Sequence, residues 1–296
     1  MIDPRALRMF HEVCRAGSIS GAARMLNISQ PSVSAAMAML EARLGGPLFE
    51  RTRTGIVLTP AGEALRARAN MLDHLLRDAE ADVAAARHGR AGPLRVGGTP
   101  GALVSLLPGA IARLDREYAH LGLSVVERPD RDLAGMLRAG DIELAFVTTA
   151  IGAPADDLTE RTLSRDPFAL IVGASHPLPD QPISLRQAQD LRWVLPEAQG
   201  GFRRQLDALF LVAGVSIPRD VVRCDSLLTT KAIVRDGLRA TILPIRVAAS
   251  ELTAGMLRAI PIAEAATDRS VGVRWLKARE LSPMANRLLD CIAQQP

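Results

Sequence analysis

The chain begins with two short runs of apolar and small residues at helical spacing. Leu7, Phe10 and Val13 predict a first helix, which Gly17 ends. Ser18 is a suitable N-cap for a second helix. The small and apolar side chains on one face of that helix are Ile19, Ala22, Ala23 and Leu26. Asn27 and Ile28 then predict a tight turn.

A third helix is expected directly after this turn. Ser29 can cap it, and Pro31 falls in its first turn, where a missing N–H costs nothing. The positions that turn inward are Val33, Met37, Leu40 and Leu44. Side chains on the opposite face, near the start of the helix, can reach base edges and phosphates in a DNA major groove. The candidate DNA contacts of this helix are therefore Ser29, Gln30, Pro31, Ser32, Ser34 and Ala35.

The segment 48–58 alternates apolar and polar residues around Gly55, as a small hairpin would. Arg51 and Arg53 are expected along its tip, where they can reach phosphate or the minor groove. Together with the three helices, this hairpin predicts a winged helix-turn-helix. Residues 1–58 could instead form a small helical subdomain whose arginines only face solvent.

A long amphipathic helix is predicted from Thr59, its expected N-cap, and Pro60, its first residue. Apolar residues recur at alternating intervals of four and three, at Leu65, Ala69, Leu72, Leu76, Ala79, Val83 and Ala86. This heptad seam on a helix of roughly 43 Å favours dimerisation. A surface helix packed on its own domain would have a similar pattern. The stretch 89–93 predicts a linker at a domain boundary.

Beyond residue 93, short apolar runs alternate with helical patterns. The apolar runs that predict strands include 94–96, 142–147, 168–172 and 241–244. The helical patterns between them include 100–118, 202–213 and 226–236. Alternation of this kind predicts a parallel α/β sheet, and the two successive series of strands and helices predict two α/β halves.

Composition and charge narrow the function classes. With 48% hydrophobic and 23% charged residues, the chain is expected to fold and not to be disordered. Residues 1–61 hold seven arginines against four acidic residues, so most of the net charge of +4 lies in the predicted DNA-binding segment. Aromatic residues, at 3%, are too few for binding single strands through stacked bases.

Other patterns exclude several kinds of site. There is no run of about 18 apolar residues and no secretory signal pattern, so we expect a cytoplasmic protein without a membrane partner. The three cysteines form no Cys-x-x-Cys pair, and the five histidines show no metal-ligand spacing. Nucleophile-elbow and P-loop motifs are also absent from the sequence. We therefore expect no catalytic residue, no metal site and no cofactor.

A ligand site is expected in the α/β part, since ligands of such domains bind at the carboxyl ends of strands, in the crevice between lobes. Backbone N–H groups that open the helix after a strand suit a carboxylate or phosphate. The candidate ligand contacts at such places are Thr99, Pro100, Gly101, Arg131, Thr148, Thr149, Phe202, Arg203 and Ser226. Each could equally be a plain helix cap or turn residue.

Several motifs of the chain resemble those of LysR-type transcriptional regulators. The resemblance is carried by 7–10, 17–26, 29–34, 40–41, 48–51 and 58–62, with weaker echoes such as 176–178 along the rest of the chain. It implies a bacterial regulator of fold class α+α/β: an N-terminal winged helix-turn-helix, a long dimerising linker helix, and an effector-binding domain of two α/β subdomains that resembles periplasmic binding proteins. By match of motif, the recognition-helix residues and wing arginines named above fall where relatives contact DNA.

The resemblance also implies domain limits and partners. We expect the DNA-binding domain at 1–58, the linker helix and hinge at 59–92, and the effector-binding domain at 93–296. Within the last, subdomain I is expected at about 93–163 and 268–296, and subdomain II at about 164–267. Implied partners are double-stranded operator DNA, a small anionic effector, and further copies of the chain in a homodimer or homotetramer. RNA polymerase is a further candidate partner.

The chain departs from the family pattern at three positions. Many relatives carry a basic side chain where this chain has Ala35 and Met39, so phosphate binding is expected to rest more on the wing. Arg239 replaces a glycine of the family pattern. The alternative to a regulator is a cytoplasmic α/β small-molecule enzyme with an N-terminal dimerisation arm, for which no nucleophile and base can be named.

Overall fold

The computed structural model describes residues 1–52, 55–87, 93–197, 200–218, 220–264 and 268–294. The chain divides into two units. The first comprises Met1–Pro93 with Gly135–Ile142, and the second comprises Leu94–Ala134 with Glu143–Pro296. Among the described residues, no helix is both long and apolar enough to span a bilayer.

The first unit contains three helices at the places that the apolar runs predict: α1 (Pro4–Ala16), α2 (Ile19–Leu26) and α3 (Gln30–Leu44). The hydroxyls of Ser18 and Ser29 cap α2 and α3, each by accepting a backbone N–H three residues further on. Residues in the left-handed conformation end the helices: Gly17, Asn27 and Gly45. The buried side chains between them include Phe10, Val13, Ala22, Ala23, Val33, Met37, Leu40 and Leu48.

The predicted wing is an antiparallel hairpin of β1 (Phe49–Thr52) and β2 (Gly55–Leu58), with Phe49 opposite Leu58. Its turn lies outside the described residues. Thr59 then caps the long helix α4 (Pro60–Arg87), since its hydroxyl accepts the Gly62 N–H at 3.1 Å. Position 62 requires glycine, because a Cβ there would lie 2.2 Å from the carbonyl oxygen of Leu48.

The predicted heptad seam of α4 serves two purposes. Leu65 and the fully buried Ala69 pack against the core formed by α1, α2 and α3. Further along, Leu76 is 38% exposed and Val83 is 55% exposed. The expectation of one continuous dimer seam from Leu65 is therefore wrong for the first turns, which are already used within the unit. Only the later turns leave apolar side chains open to a partner helix.

In the second unit, nine strands of the described chain form one sheet. The strands are β3 (Leu94–Gly98), β4 (Leu123–Glu127), β5 (Leu144–Thr148), β6 (Leu158–Gly173), β7 (Arg192–Leu195), β8 (Val221–Arg223), β9 (Arg239–Pro244), β10 (Leu257–Pro261) and β11 (Asp268–Leu276). Their order is β4-β3-β5-β11-β6-β9-β7-β8, and β10 also pairs with β6. The helices are α5 (Pro100–Glu117), α7 (Gly201–Val212), α8 (Leu227–Asp236), α9 (Ala249–Thr253) and α10 (Pro283–Ala293), with a 3-10 turn at Ile245–Ala248. Helix α6 (Asp130–Ala139) begins in this unit, and its residues from Gly135 onward belong to the first.

The expectation of an all-parallel sheet is only partly right. Strands β3, β4 and β5 pair in parallel, and so do β7, β8 and β9. Between these two groups, β6 and β11 run antiparallel to each other and to their other neighbours. Strand β6 is 16 residues long, so it pairs with β11 through its first part and with β9 and β10 through its second. Two parallel α/β groups are thus joined by long antiparallel strands.

Both faces of the second half of β6 are buried. Leu170 and its neighbours at alternate positions pack with Trp193 and α7, whereas Ala169 and Ile171 pack with Val234 of α8. This period of two places a helix on each face of the sheet, as a doubly covered α/β sheet requires. The same arrangement directs the N-termini of α5, α7 and α8 toward one cavity, described below.

Candidate nucleic-acid interface and ligand cavity

The candidate DNA contacts of α3 lie at its N-terminal end, on the side away from the core. Val33 and Met37 are buried and turn one face of the helix inward. On the other face the predicted contacts are exposed, apart from the half-buried Ser34: they are Ser29, Gln30, Pro31, Ser32 and Ala35. The helix therefore presents a row of small and polar side chains of the size that fits against base edges.

Charge is sparse on this helix. Its first turn carries no acidic residue, and the backbone N–H groups there provide a partial positive charge. Its basic side chain is Arg43, in the last turn, and the apolar Met39 is exposed in between. Phosphate contacts must therefore come largely from other parts of the unit.

The wing arginines are described in part. Arg51 lies on β1, where its backbone is opposite Ile56. Arg53 lies outside the described residues, so its place beside DNA stays a prediction.

A cavity of about 300 Å³ lies in the second unit, and it is lined by ends of strands and starts of helices. Residues that follow strands contribute part of the wall: Thr99 after β3, Arg128 after β4, Pro196 after β7 and Cys224 after β8. The first residues of α5, α7 and α8 contribute another part, so three helix N-termini with partial positive charge face the cavity. This is the edge at which α/β sheets bind ligands.

Six of the nine predicted ligand contacts line this cavity: Thr99, Pro100, Gly101, Thr148, Phe202 and Arg203. Arg131, Thr149 and Ser226 do not. The Arg131 side chain is 74% exposed and lies 3.6 Å from Asp132. Thr149 is fully buried, and its hydroxyl shares a hydrogen bond with that of Thr162. Ser226 serves as the N-cap of α8.

The most buried cation of the cavity, Arg269 on β11, is a residue that the sequence did not single out. Its Nε and Nη2 donate to the Thr148 hydroxyl at 3.2 and 3.1 Å, and its guanidinium lies 5.8 Å from the centre of the Phe202 ring. Burial lowers the pKa of Arg269 to about 10, and the charge of Asp166 opposes this shift. The guanidinium therefore remains protonated at neutral pH.

Asp166 lies close to Arg269 in the register of β6 and β11, where its backbone is directly opposite, and it is fully buried. Burial raises its pKa, while a hydrogen bond from the backbone N–H of Arg246, at 3.1 Å, and the charge of Arg269 oppose the shift. Asp166 and Arg269 are thus both buried between β6 and β11 and the elements that cover them, and Arg269 also reaches the cavity wall.

Two further features bear on ligand chemistry. The Thr99 hydroxyl is buried and has no hydrogen-bond partner among the described residues, so a polar ligand atom can satisfy it. Arg203, by contrast, already has two partners: its Nε donates to Asp207 at 2.8 Å and its Nη1 to the Pro196 carbonyl at 2.5 Å. Arg203 therefore holds the start of α7 in place and is a weaker candidate for an anion anchor than Arg269.

Most of the remaining wall is apolar. The apolar side chains that line the cavity include Pro100, Pro129, Pro196, Phe202, Leu227, Leu243, Pro244 and Val247. Three acidic residues also occur there: Glu127, Asp130, which forms an ion pair with Arg274, and Asp225, which accepts the Glu197 N–H. The cavity can therefore take a small molecule with an apolar body and one anionic group.

Two family descriptions match the chain. One, "Bacterial regulatory helix-turn-helix protein, lysR family", matches residues 4–63, and the other, "LysR substrate binding domain", matches residues 87–296. The HTH-type transcriptional regulator GalR of Pseudomonas putida is 30% identical over 295 residues, which are 99% of this chain and 74% of that protein. The two descriptions cover both units of the fold.

Solved structures share this fold over their whole length. Full-length OxyR of Pseudomonas aeruginosa, solved as a cysteine-to-aspartate variant, has a TM-score of 0.72 at 24% identity, covering 99% of this chain and 98% of that chain. Full-length CbnR in complex with its target DNA has a TM-score of 0.68 at 22% identity, covering 98% of each chain. At these identities the likeness shows the fold alone.

Proposed function

Because the chain belongs to the LysR family of transcriptional regulators, we propose that α3 and the wing bind operator DNA and that a small anion in the cavity controls this binding. The observation that carries the second part is Arg269, a buried and protonated cation at the wall of a largely apolar cavity. Members of the family regulate transcription and are not enzymes, so the small-molecule enzyme considered above has no support.

The effector that suits the cavity is a small carboxylate with an apolar body. Arg269 supplies the countercharge, and the helix starts at Gly101 and Gly201 supply backbone N–H groups. The Thr99 hydroxyl can donate a further hydrogen bond. Apolar side chains around these groups favour a ligand with an apolar body, which is buried from water on binding. Thr148 positions the Arg269 guanidinium, while Arg131, Thr149 and Ser226 are not among the residues that line the cavity.

The DNA-binding surface is proposed to be the exposed start of α3 together with the wing. Gln30 can donate to and accept from a base edge, and Pro31 and Ala35 can contact a thymine methyl. Arg51 and Arg53 supply the phosphate contacts that α3 lacks. CbnR, whose fold this chain shares, has been solved with its target DNA, which supports the same use of the helix-turn-helix here.

Assembly and domain limits complete the proposal. The exposed apolar side chains in the later turns of α4, Leu75, Leu76 and Val83, favour a dimer through this helix, and two dimers would form the tetramer. The functional division is 1–58 for DNA binding, 59–92 for the linker and 93–296 for the effector. Because a transcriptional regulator has to reach DNA, we propose the bacterial cytoplasm as its location, with RNA polymerase as a candidate further partner.

The DNA-binding part is tested by fluorescence anisotropy with DNA from upstream of the protein's own gene, at two salt concentrations and with unrelated duplex as competitor. We expect competitor-resistant binding that weakens with salt. Arg53→Ala should weaken it and reduce the salt slope by about 1, whereas the exposed Arg116→Ala in the second unit should change neither. Equal effects of the two substitutions would contradict a phosphate contact by the wing.

The effector part is tested by calorimetric titration of the full chain with two simple carboxylates, benzoate and succinate. Saturable binding of either compound, with a stoichiometry of one molecule per chain, supports the proposal. A matched neutral compound, benzamide, should bind at least about tenfold more weakly than benzoate, because it cannot pair with Arg269. Equal binding of the acid and the amide would refute the role of Arg269.

A further inference from the structure

Three potential metal ligands meet where α1 packs against α4, inside the first unit. They are His11 and Glu12 on α1 and Asp73 on α4. One ligand atom from each lies within 4.8 Å of the other two. No pattern in the sequence indicates this cluster, because His11 and Asp73 lie on two helices far apart in the chain and no ligand spacing joins them.

The tautomer of His11 is set by its neighbour Asn70. His11 Nδ1 and the side-chain oxygen of Asn70 are 2.9 Å apart, so Nδ1 carries the hydrogen and donates it. In the neutral ring, Nε2 then has a lone pair and no hydrogen. A hydrogen bond from the other ring nitrogen to an oxygen acceptor is the usual support for a metal-binding histidine.

His11 Nε2 is directed at negative charge. Nε2 lies 3.6 Å from Asp73 Oδ2 and 3.9 Å from Glu12 Oε1, and the His11 side chain is only 7% exposed. No hydrogen-bond partner for Nε2 occurs in the part of the chain that the structure describes. Nε2 facing two carboxylates is favourable only when a cation, either a proton on Nε2 or a metal ion, lies between them.

Two of the three spacings among these atoms are close to those of a metal site, and the third, between the two carboxylates, is within 4.8 Å. Metal bonds of about 2.0–2.2 Å to nitrogen and oxygen in a tetrahedron place neighbouring ligands about 3.3–3.6 Å apart. The Nε2–Oδ2 and Nε2–Oε1 distances of 3.6 and 3.9 Å are close to this spacing and too long for hydrogen bonds. The mixture of one imidazole with two carboxylates favours zinc over calcium or magnesium, which prefer oxygen ligands alone.

We propose that His11, Glu12 and Asp73 bind a Zn²⁺ ion that joins α1 of the DNA-binding helices to the linker helix α4. A water molecule is left to complete the tetrahedron. The buried Phe10 and Ala69, next to the cluster on the two helices, fix the two backbones that carry the ligands.

Two arginines compete with the metal for the carboxylates. Arg15 forms an ion pair with Glu12, and Arg77 forms one with Asp73. Both arginine side chains are more than half exposed, so each can turn toward solvent when the ion binds. Removing either arginine removes a competing positive charge, which is expected to strengthen zinc binding.

The test is a calorimetric titration of tag-free, EDTA-treated full-length protein with ZnCl₂ at neutral pH. We expect one ion per chain and a melting temperature of the first unit that rises with zinc. His11→Gln and Asp73→Asn should each abolish this binding, and Asn70→Ala should weaken it by about 10- to 100-fold. His120→Gln, at an exposed histidine of the second unit, should bind like the wild type.

A second measurement separates the metal from a simple ion-pair network. Arg77→Ala should tighten zinc binding severalfold, and Co²⁺ absorption should show four-coordination that His11→Gln loses. Circular dichroism confirms that each variant is folded. The proposal is overturned if zinc fails to bind at a one-to-one ratio, or if folded His11→Gln protein binds as the wild type does. A proton on Nε2 would then be the cation that balances the two carboxylates.

Discussion

Replacing Arg269 with Met tests whether this buried charge balances Asp166. The two residues are opposite each other on neighbouring strands β11 and β6, and both are almost completely excluded from solvent. Methionine retains an unbranched apolar side chain but carries no charge. In the variant, Asp166 keeps the hydrogen bond from the Arg246 N–H but loses the cation that lies opposite it.

The expected loss of stability follows from the burial of both groups. Removing one partner of a contacting buried ion pair costs about 3–5 kcal/mol. Arg269 and Asp166 interact through charge without an ion pair among the described contacts, and the charge of Arg246 remains near Asp166, so we expect a loss of at most about 3 kcal/mol. For a unit of this size, each kcal/mol lowers the melting temperature by about 2–4 °C, which gives a fall of up to about 12 °C. Asp166→Asn combined with Arg269→Met removes both charges and should recover most of that loss.

The loss should also depend on pH. Burial already raises the pKa of Asp166 in the folded protein, and removing Arg269 raises it further. At a pH below this raised pKa the carboxyl is neutral and needs no countercharge. The difference in stability between wild type and Arg269→Met should therefore be largest at neutral pH and shrink as the pH falls. In an Asp166→Asn background the effect of Arg269→Met should not vary with pH.

Tryptophan fluorescence is a suitable probe, because the two tryptophans of the chain, Trp193 and Trp275, both lie in the second unit. Thermal unfolding of the wild type, the two single variants and the double variant gives a double-mutant cycle. Additive losses, with Arg269→Met costing the same in both backgrounds, would refute the balance of charge between the two residues.

Two further predictions concern the glycines and the linker helix. Gly62→Ala should lower the free energy of unfolding by about 1–3 kcal/mol, because its Cβ would collide with the Leu48 carbonyl. Gly135→Ala, on α6 with no atom near the added Cβ, should raise the free energy of unfolding by up to about 1 kcal/mol. Urea unfolding measures both changes. A stabilised Gly62→Ala protein would contradict the close approach. Val83→Asp should convert dimers to smaller species in analytical ultracentrifugation without unfolding the chain, because Val83 is 55% exposed; an unchanged sedimentation coefficient would exclude this part of α4 from the dimer contact.

Much of the first unit could be predicted because local signals agree there. Helical spacing, the caps Ser18 and Ser29, and the hairpin around Gly55 all specify the winged helix-turn-helix that the structure contains. The sequence left open whether Leu65 and Ala69 pack within the unit or on a partner helix, since a heptad pattern does not say which partner covers it. The cluster around His11 joins residues from two distant helices, and no local pattern encodes it.

In the second unit, sequence reasoning located the strand ends that form the cavity but missed its central cation. Thr99, Thr148 and Phe202 follow from the rule that ligands bind at the carboxyl ends of strands. Arg269 lies on β11, whose mixture of charged, small and apolar residues shows no clear strand pattern. Arg131 faces solvent and not the cavity. The sequence could not show this, because an arginine on a helix surface has the same sequence pattern in either case.

Control of DNA binding by occupancy of the cavity can be measured directly. The measurement is anisotropy of labelled upstream DNA with and without saturating benzoate, or succinate if that binds more tightly, for wild type and Leu227→Trp. Leu227 lines the cavity, so the larger ring should exclude the carboxylate, and Leu228→Trp, on the 77% exposed neighbour, is the control. We expect the carboxylate to change the DNA affinity of the wild type and of Leu228→Trp but not that of Leu227→Trp. The same response in all three proteins would contradict control through the cavity.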